Sequence, residues 1–454
     1  MSLCHRHAGR LHWGAVIVLL SFPYNSFAAG FALIENSASG MGSAFASGGA
    51  AAEDASSLYF NPASMGLLPK QQLSIAGHFI HPTATFTNDG STTASGDPLQ
   101  GGGGDGGVDA LVPNLYYTKA YSNKLNVGLS VNAPFGLSTK YDDTWVGRYH
   151  AVDSELSTVN INPSLSYRLN PQWLLGGGLN AQYLKVNLSS AVDFYGVCTS
   201  LMPAAVCASQ GLVSQQSDGF AKVSGHNWAY GLNFGAIFQP DAATRIALAY
   251  RPGMSQHVDG NADFTVPANA AFLTSTGAFQ DGAAHATVYL PAIASLSLSH
   301  KHNHHAKFTG MADFTWTEWS RFKELRVHYD AAAQPDTVTT ENWNNSWRVA
   351  LGGKYQYRNN LALRAGVAYD QAPVPDTQHR TARVPDNNRK WISIGLNYVM
   401  APNMSVDVGY SHLFVSNTSI NNTLESDATN TQATLNGTYS NSVDIASAQL
   451  NWNF

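Results

Sequence analysis

The feature that most constrains this chain is a repeated alternation of apolar and polar residues in segments of about ten. In the last segment, Ala446, Ala448, Leu450, Trp452 and Phe454 share one face, and Ser, Gln and Asn side chains share the other. The same alternation runs through residues 346–357, 361–369 and 391–400. Because successive side chains of a strand point to opposite sides, each segment predicts a β-strand with one apolar face.

Composition narrows the fold class further. Only 12% of the residues are charged, and beyond residue 28 no run of about 18 apolar residues is available to form a spanning helix. Without a spanning helix, a chain can cross the bilayer only as a closed β-barrel, because lipid offers no hydrogen-bond partner to open backbone groups. A soluble sandwich also alternates, but the low charge and the terminal Phe454 favour an all-β, antiparallel, up-and-down transmembrane barrel over residues 71–454. Long polar stretches such as residues 88–107 and 417–442 are expected to be extracellular loops.

The N-terminus has the three regions of a secretory signal. Arg6 and Arg10 precede an apolar run over residues 11–22, and Ser26-Phe27-Ala28 supplies small residues for cleavage. The run is shorter than the roughly 20 residues of a membrane anchor. We therefore expect residues 1–28 to be a signal peptide and the mature chain to reach the outer membrane of a Gram-negative bacterium.

Two cysteines, Cys198 and Cys207, lie close together in the mature chain. In an exported protein such a pair predicts one disulfide, which would staple a surface loop. The alternative, a redox pair, lacks the C-x-x-C spacing.

The histidines of residues 300–305 raise the question of a metal site, but they lie in a predicted short turn where solvated imidazoles cost nothing. A phospholipase would need a Ser-His pair held by a third group, and no such set stands out. We expect no enzyme activity, metal or cofactor, and the absence of a basic patch argues against nucleic acid.

Residues 29–70 lack sustained alternation and are rich in Gly, Ala and Ser. Small residues suit a plug (a hatch) packed in a barrel lumen. The alternative is a disordered periplasmic tail, against which stand apolar residues such as Phe31, Phe45 and Phe60.

A break in the wall is expected at Asn132-Ala133-Pro134-Phe135-Gly136. Pro134 cannot donate a ladder hydrogen bond, and Gly136 weakens a strand interior. An ordinary strand end or a β-bulge is the alternative.

Several short motifs, in series, resemble the FadL-type outer-membrane transporters of long-chain fatty acids and hydrocarbons. They cover nearly the whole mature chain in the expected order. The motifs are Ala29-Gly30-Phe31, Glu35-Asn36-Ser37-Ala38-Ser39-Gly40-Met41-Gly42, Glu53-Asp54-Ala55-Ser56, Asn61-Pro62-Ala63-Ser64-Met65, Asn132-Ala133-Pro134-Phe135-Gly136-Leu137, Trp145-Val146-Gly147-Arg148-Tyr149, and the run from Pro373 to Arg389.

The resemblance implies a barrel of 14 strands closed by an N-terminal hatch, with passive capture of ligand in an outer groove and lateral exit at a kinked third strand. It makes Phe31 the moving aromatic residue of the ligand pocket; the alternative is that Phe31 only anchors the hatch. It places Asn61-Pro62-Ala63 and Asp407 near the lateral opening, although Asp407 also fits a lumen carboxylate paired with a base.

The sequence departs from the family at the basic residue that would bind a ligand carboxylate. Ser190 stands where the best-studied relative has a basic residue. Candidate substitutes are Lys185, Arg348, Lys354 and Arg364, and ordinary lumen charges are the alternative for them. Without a base, the cargo would be an aromatic or alkane hydrocarbon.

Further expectations concern partners. We expect outer-membrane lipid and lipopolysaccharide around the barrel, recognition by the insertion machinery through Phe454, and a monomer, since a closed barrel has no free edge. A surface adhesin or structural barrel is the hypothesis from another class, and an apolar pocket beside Phe31 would argue against it.

Overall fold

A computed structural model describes residues 30–46, 48–302, 307–425 and 432–454. The signal-peptide prediction for residues 1–28 therefore lies outside the described residues. The described chain forms a closed antiparallel barrel of 14 strands. Closure is made by the first and last strands, which pair from Gln72 with Asn453 to Asn88 with Gly437.

Eight wall strands are continuous: β1 Gln71–Asn88, β2 Ala110–Ala120, β4 Asp153–Arg168, β5 Trp173–Asp193, β6 Asp218–Phe238, β11 Leu361–Asp370, β12 Arg389–Ala401 and β14 Thr434–Asn453. Six are made of two segments: β3 Leu125–Asn132 and Gly136–Lys140, β7 Thr244–Arg251 and Met254–Thr265, β8 Gly282–Leu290 and Ile293–Lys301, β9 Phe308–Thr317 and Glu324–Tyr329, β10 Thr337–Thr340 and Ser346–Arg358, and β13 Met404–Val415 and Thr418–Thr423. A two-residue strand, Gly104–Asp105, adds to β1.

The two faces of the wall follow the predicted alternation. On β12, Ile392 and Ile394 are exposed on the outer face, whereas Ser393 is buried on the inner face. On β10, Trp347 and Leu351 are exposed and Arg348 is buried. An apolar exterior over a polar lumen is the arrangement that a membrane barrel requires.

The breaks in β7, β8, β9 and β10 lie on neighbouring strands and open space for bulky side chains. Pro252 and Pro291 stand in the first two breaks, where neither can donate a ladder hydrogen bond. The break in β9 contains the 3-10 helix Trp319–Arg321, and the break in β10 contains Trp343. These two breaks therefore deliver aromatic residues to the barrel interior.

The segment of residues 30–70 packs against the inner face of the wall. It contains helices α1 Ala38–Met41 and α2 Ser57–Phe60, and the 3-10 helix Pro62–Leu67. The approach is close: a Cβ on Gly395 of β12 would lie 2.6 Å from the Cα of Gly42. We call residues 30–70 the N-terminal segment.

The loop between β5 and β6 carries helices α3 Phe194–Leu201 and α4 Ala204–Ser209. Cys198 and Cys207 are joined by a disulfide, with their Cα atoms 5.9 Å apart. Both sulfurs are buried with Phe194 and with Leu273 of the 3-10 helix Ala268–Thr276, which lies between β7 and β8.

The loop expected over residues 417–442 is shorter than predicted. The second segment of β13 pairs with β14 from Thr418 with Tyr439 to Thr423 with Thr434. These Asn- and Thr-rich strands lack an apolar outer face, so the alternation in the sequence gave no sign of them. Among the described residues, no helix combines the length and the apolar character needed to cross a membrane.

Candidate functional site

An aromatic cluster surrounds the first described residues of the chain. The ring centroid of Phe31 lies 4.7 Å from that of Trp319, 5.6 Å from Phe322, 5.7 Å from Trp343 and 6.1 Å from Phe135. Phe31 is only 4% exposed. These five side chains, which we call the aromatic cluster, form an apolar pocket that Phe31 itself fills.

The wall has a gap beside this cluster. β2 and β3 pair only from Leu115 with Val131 to Ala120 with Asn126, and a single bridge joins Gly107 to Thr139 further along. Between these points, residues 108–114 and 132–138 share no ladder pair in the part of the chain that the structure describes. We call this opening the wall gap; it contains the predicted break.

A cavity of about 670 Å³ runs through the wall gap. Its lining includes Leu111 and Val159 from the outer face of the wall and Leu413 and Ile445 from the inner face. Because the lining reaches both faces, the cavity links the lumen to the lipid side of the barrel. Leu33 and Phe135 line the same cavity.

The N-terminal segment closes the inner side of the wall gap with backbone hydrogen bonds. The amide of Leu33 donates to the carbonyl of Pro134 at 2.9 Å, and the amide of Gly136 donates to the carbonyl of Phe31 at 3.0 Å. Between them, Ala32 and Phe135 form an antiparallel bridge. The broken third strand thus pairs with residues 31–33 of the N-terminal segment.

Asn61, Pro62 and Ala63 lie elsewhere in the lumen. The side-chain amide of Asn61 donates to the carbonyls of Ala236 at 3.2 Å and Leu248 at 2.9 Å. They therefore anchor the N-terminal segment to β6 and β7, and they are not among the residues that line the cavity.

Three of the four candidate bases hold the N-terminal segment. Arg364 donates to Glu53 and to Asp407, the latter at 2.6 Å, and Lys354 lies 3.2 Å from Glu53. Arg348 donates to the carbonyl of Ala44 at 2.5 Å. Arg364 and Lys354 are thus already paired with a carboxylate, whereas Nε and Nη1 of Arg348 are buried without a hydrogen-bond partner among the described residues.

Asp407 lies in the same ion-pair network. Besides Arg364, it accepts hydrogen bonds from Asn397 at 3.1 Å and Asn451 at 2.7 Å. This is the lumen pairing that the sequence left open as the alternative to a place at the lateral opening.

The fourth candidate base, Lys185, is exposed, and its neighbour Leu184 points inward into the cluster around Phe31. Of the histidines at residues 300–305, His300 has its Nδ1 atom 3.0 Å from the hydroxyl of Thr244. His304 and His305 lie outside the described residues. A ligand role for Lys185 stays a prediction, and so does the expected absence of a metal site at residues 300–305.

The residues that sequence reasoning missed are the partners of Phe31: Trp319, Phe322 and Trp343. They come from the breaks in β9 and β10, where alternation fails. The aromatic-rich stretch from Phe314 to Phe322 was the available signal.

Comparisons with known proteins settle the family. The family described as "Outer membrane protein transport protein (OMPP1/FadL/TodX)" matches residues 20–454. The chain belongs to this outer-membrane transport family. As expected of a member, it is an outer-membrane protein.

Relatives of this family member agree in length and in fold. A long-chain fatty acid transport protein of Salmonella typhi is 30% identical over 407 residues, covering 87% of this chain and 90% of the relative. The crystal structure of a Pseudomonas aeruginosa FadL homologue superposes with a TM-score of 0.85 at 25% identity, covering 94% of this chain and 100% of the homologue. The toluene transporter TodX of P. putida shares the fold, with a TM-score of 0.64 at 16% identity over 88% of this chain and 94% of TodX.

Proposed function

We propose that this protein carries long-chain fatty acids passively across the outer membrane. An acyl chain gains about 0.8 kcal/mol for each CH₂ moved from water to an apolar site, which suits the apolar pocket around Phe31. The similarity to a long-chain fatty acid transport protein supports this cargo.

The observation that carries the mechanism is the double role of residues 31–33. The side chain of Phe31 fills the aromatic cluster, while the backbone on either side of Ala32 closes the wall gap. An acyl chain that enters the cluster must displace Phe31. Displacement strains or breaks the hydrogen bonds to Pro134 and Gly136, and the cavity then connects the pocket to lipid.

The remaining elements of the proposal follow from this route. Residues 30–70 act as the hatch, and the ion pairs of Glu53 hold it while residues 31–33 move. Exit is lateral, through the wall gap. Phe454 serves as the insertion signal, and the barrel works as a monomer surrounded by outer-membrane lipid and lipopolysaccharide.

The proposal is tested by uptake of labelled oleate in a host that lacks its own transporter, with toluene as competitor. We expect uptake by the wild type and a clear loss in Phe31→Ala, because ligand binding is then no longer coupled to the backbone at the gap. No oleate uptake despite correct insertion would contradict the proposal. Toluene uptake in that case would move the cargo to hydrocarbons.

A further inference from the structure

Two charged residues, buried Glu341 and partly buried Arg383, lie near the aromatic cluster and form no ion pair with each other. Glu341 lies in the break of β10, is 4% exposed, and accepts a hydrogen bond of 2.8 Å from the indole of Trp343. Arg383 lies in the loop before β12, and its neighbour Val384 packs in the cluster around Phe31. Neither forms an ion pair with any described residue.

The bonding of Arg383 is incomplete. Its Nη1 donates to the hydroxyl of Ser154 at 2.8 Å and to the carbonyls of Asp153 at 3.2 Å and Ser189 at 3.3 Å. Within the described chain, Nε and Nη2 donate no hydrogen bond. A guanidinium offers five N–H donors in a fork that fits a carboxylate, so one edge of this fork is available.

The position of Arg383 relative to the pocket follows from β4. Ser154, its bonding partner, and Leu156 are alternate residues of the strand, so both face inward about 7 Å apart. Leu156 is buried in the cluster around Phe31 and also lines the cavity. Arg383 is therefore bonded to β4 two residues away from a side chain that lines the apolar pocket.

No ion pair compensates the charge of Arg383. Glu341 is the carboxyl group that acts on it most strongly, but the two side chains are not within ion-pair distance. Burial lowers the pKa of Arg383 to about 10, which keeps the guanidinium charged. The other groups that act on Arg383 are Tyr329, Asp153 and Tyr141.

We propose that Arg383 is the residue that recognises the carboxylate of the ligand, with the acyl chain in the aromatic cluster and Glu341 facing the same head group. The inference rests on the proposed function and makes its cargo specifically an acid. It assigns the base that is missing at Ser190 to a loop rather than to a strand.

The test compares two ligands with the same chain, oleate and oleyl alcohol, bound to the full-length protein. Arg383→Gln keeps a donor for Ser154 but removes the charge. We expect it to weaken oleate binding by about tenfold or more, the typical effect of losing a charged hydrogen bond, and to leave oleyl alcohol binding unchanged. Arg383→Lys should recover part of the preference.

A matched control is Arg380→Gln, in the same loop. Arg380 is buried and donates to the carbonyls of Asp386 at 3.2 Å and Ser419 at 2.5 Å. This variant should keep the wild-type preference for oleate.

The outcomes separate the two proposals. Equal loss of both ligands in Arg383→Gln, or no loss of oleate, would overturn the role of Arg383 and leave fatty-acid transport standing. Wild-type protein that neither binds nor takes up oleate would overturn both.

Discussion

The backbone carbonyl of Phe31 accepts a hydrogen bond of 3.0 Å from the amide of Gly136. The residue that fills the ligand pocket therefore also holds the edge of the wall gap. In the proposed route, binding and release are coupled because they act on the same three residues, 31–33, and no longer-range transmission is required.

Added bulk at Gly136 is expected to impair transport. A Cβ there would lie 2.8 Å from the Cδ1 of Leu33, so Gly136→Val crowds both the cavity and the N-terminal segment. We predict oleate uptake well below that of the wild type at equal surface expression. Gly77→Val on β1 is the control, because a Cβ there meets nothing within 4 Å. Normal uptake in Gly136→Val would argue against exit at this gap.

Loss of Arg364 is expected to release the N-terminal segment. This side chain bridges Glu53 of the segment and Asp407 of β13, and removing one partner of a buried ion pair typically costs about 3–5 kcal/mol. We predict that Arg364→Met admits vancomycin, a large polar antibiotic, into cells. Arg358→Met, at the exposed end of β10, should leave the cells impermeable to vancomycin. Wild-type resistance in Arg364→Met would mean that other contacts suffice to hold the segment.

The loop between β3 and β4, residues 141–152, is expected to become less stable in acid. Burial, assisted by the charge of Arg383, lowers the pKa of His150 to about 4, although its contacts with Ala433 and Asn422 act the other way. The opened loop binds a proton below about pH 6.5 and the closed loop does not. Stability is therefore full above pH 6.5 and falls by about 3 kcal/mol towards pH 4.

Hydrogen exchange of residues 141–152 measures this effect. His150 contacts the carbonyl of Ala433 at 3.1 Å, and His150→Gln can keep a donor there without titrating. The variant should keep its protection between pH 6.5 and pH 4, after correction for intrinsic exchange rates. The same loss of protection in both proteins would rule out His150 as the cause.

Much of the wall could be predicted from the sequence, because a period of two fixes which side chains face lipid. Trp347 and Leu351 lie on the outer face, and Arg348, Lys354 and Arg364 come from the inner-facing set. The partners of these bases could not be predicted. Arg364 meets Glu53 across a sequence separation of 311 residues, a contact that depends on how the N-terminal segment folds back into the lumen.

The residues of the ligand pocket were harder to predict from the sequence than the faces of the wall. Phe31 was found through resemblance, but Trp319 and Trp343 come from strand breaks, where alternation carries no information. The side that Lys185 faces could not be predicted either, because it depends on the register along β5. A shift of one residue would turn Lys185 into the lumen in place of Leu184.

The most direct test of the central claim is to lock the N-terminal segment to the gap. Ala32 and Phe135 form a non-hydrogen-bonded antiparallel pair, whose Cα atoms typically lie about 4.5 Å apart, within the range for a disulfide. We would measure oleate uptake by the double variant Ala32→Cys/Phe135→Cys with and without reductant. The two single variants and the wild type, which retains Cys198–Cys207, control for the lost side chains and for reduction. The account predicts no uptake when the cross-link is formed and recovery, on reduction, to the level of the single variants. Uptake that continues through the oxidised, cross-linked protein would contradict it.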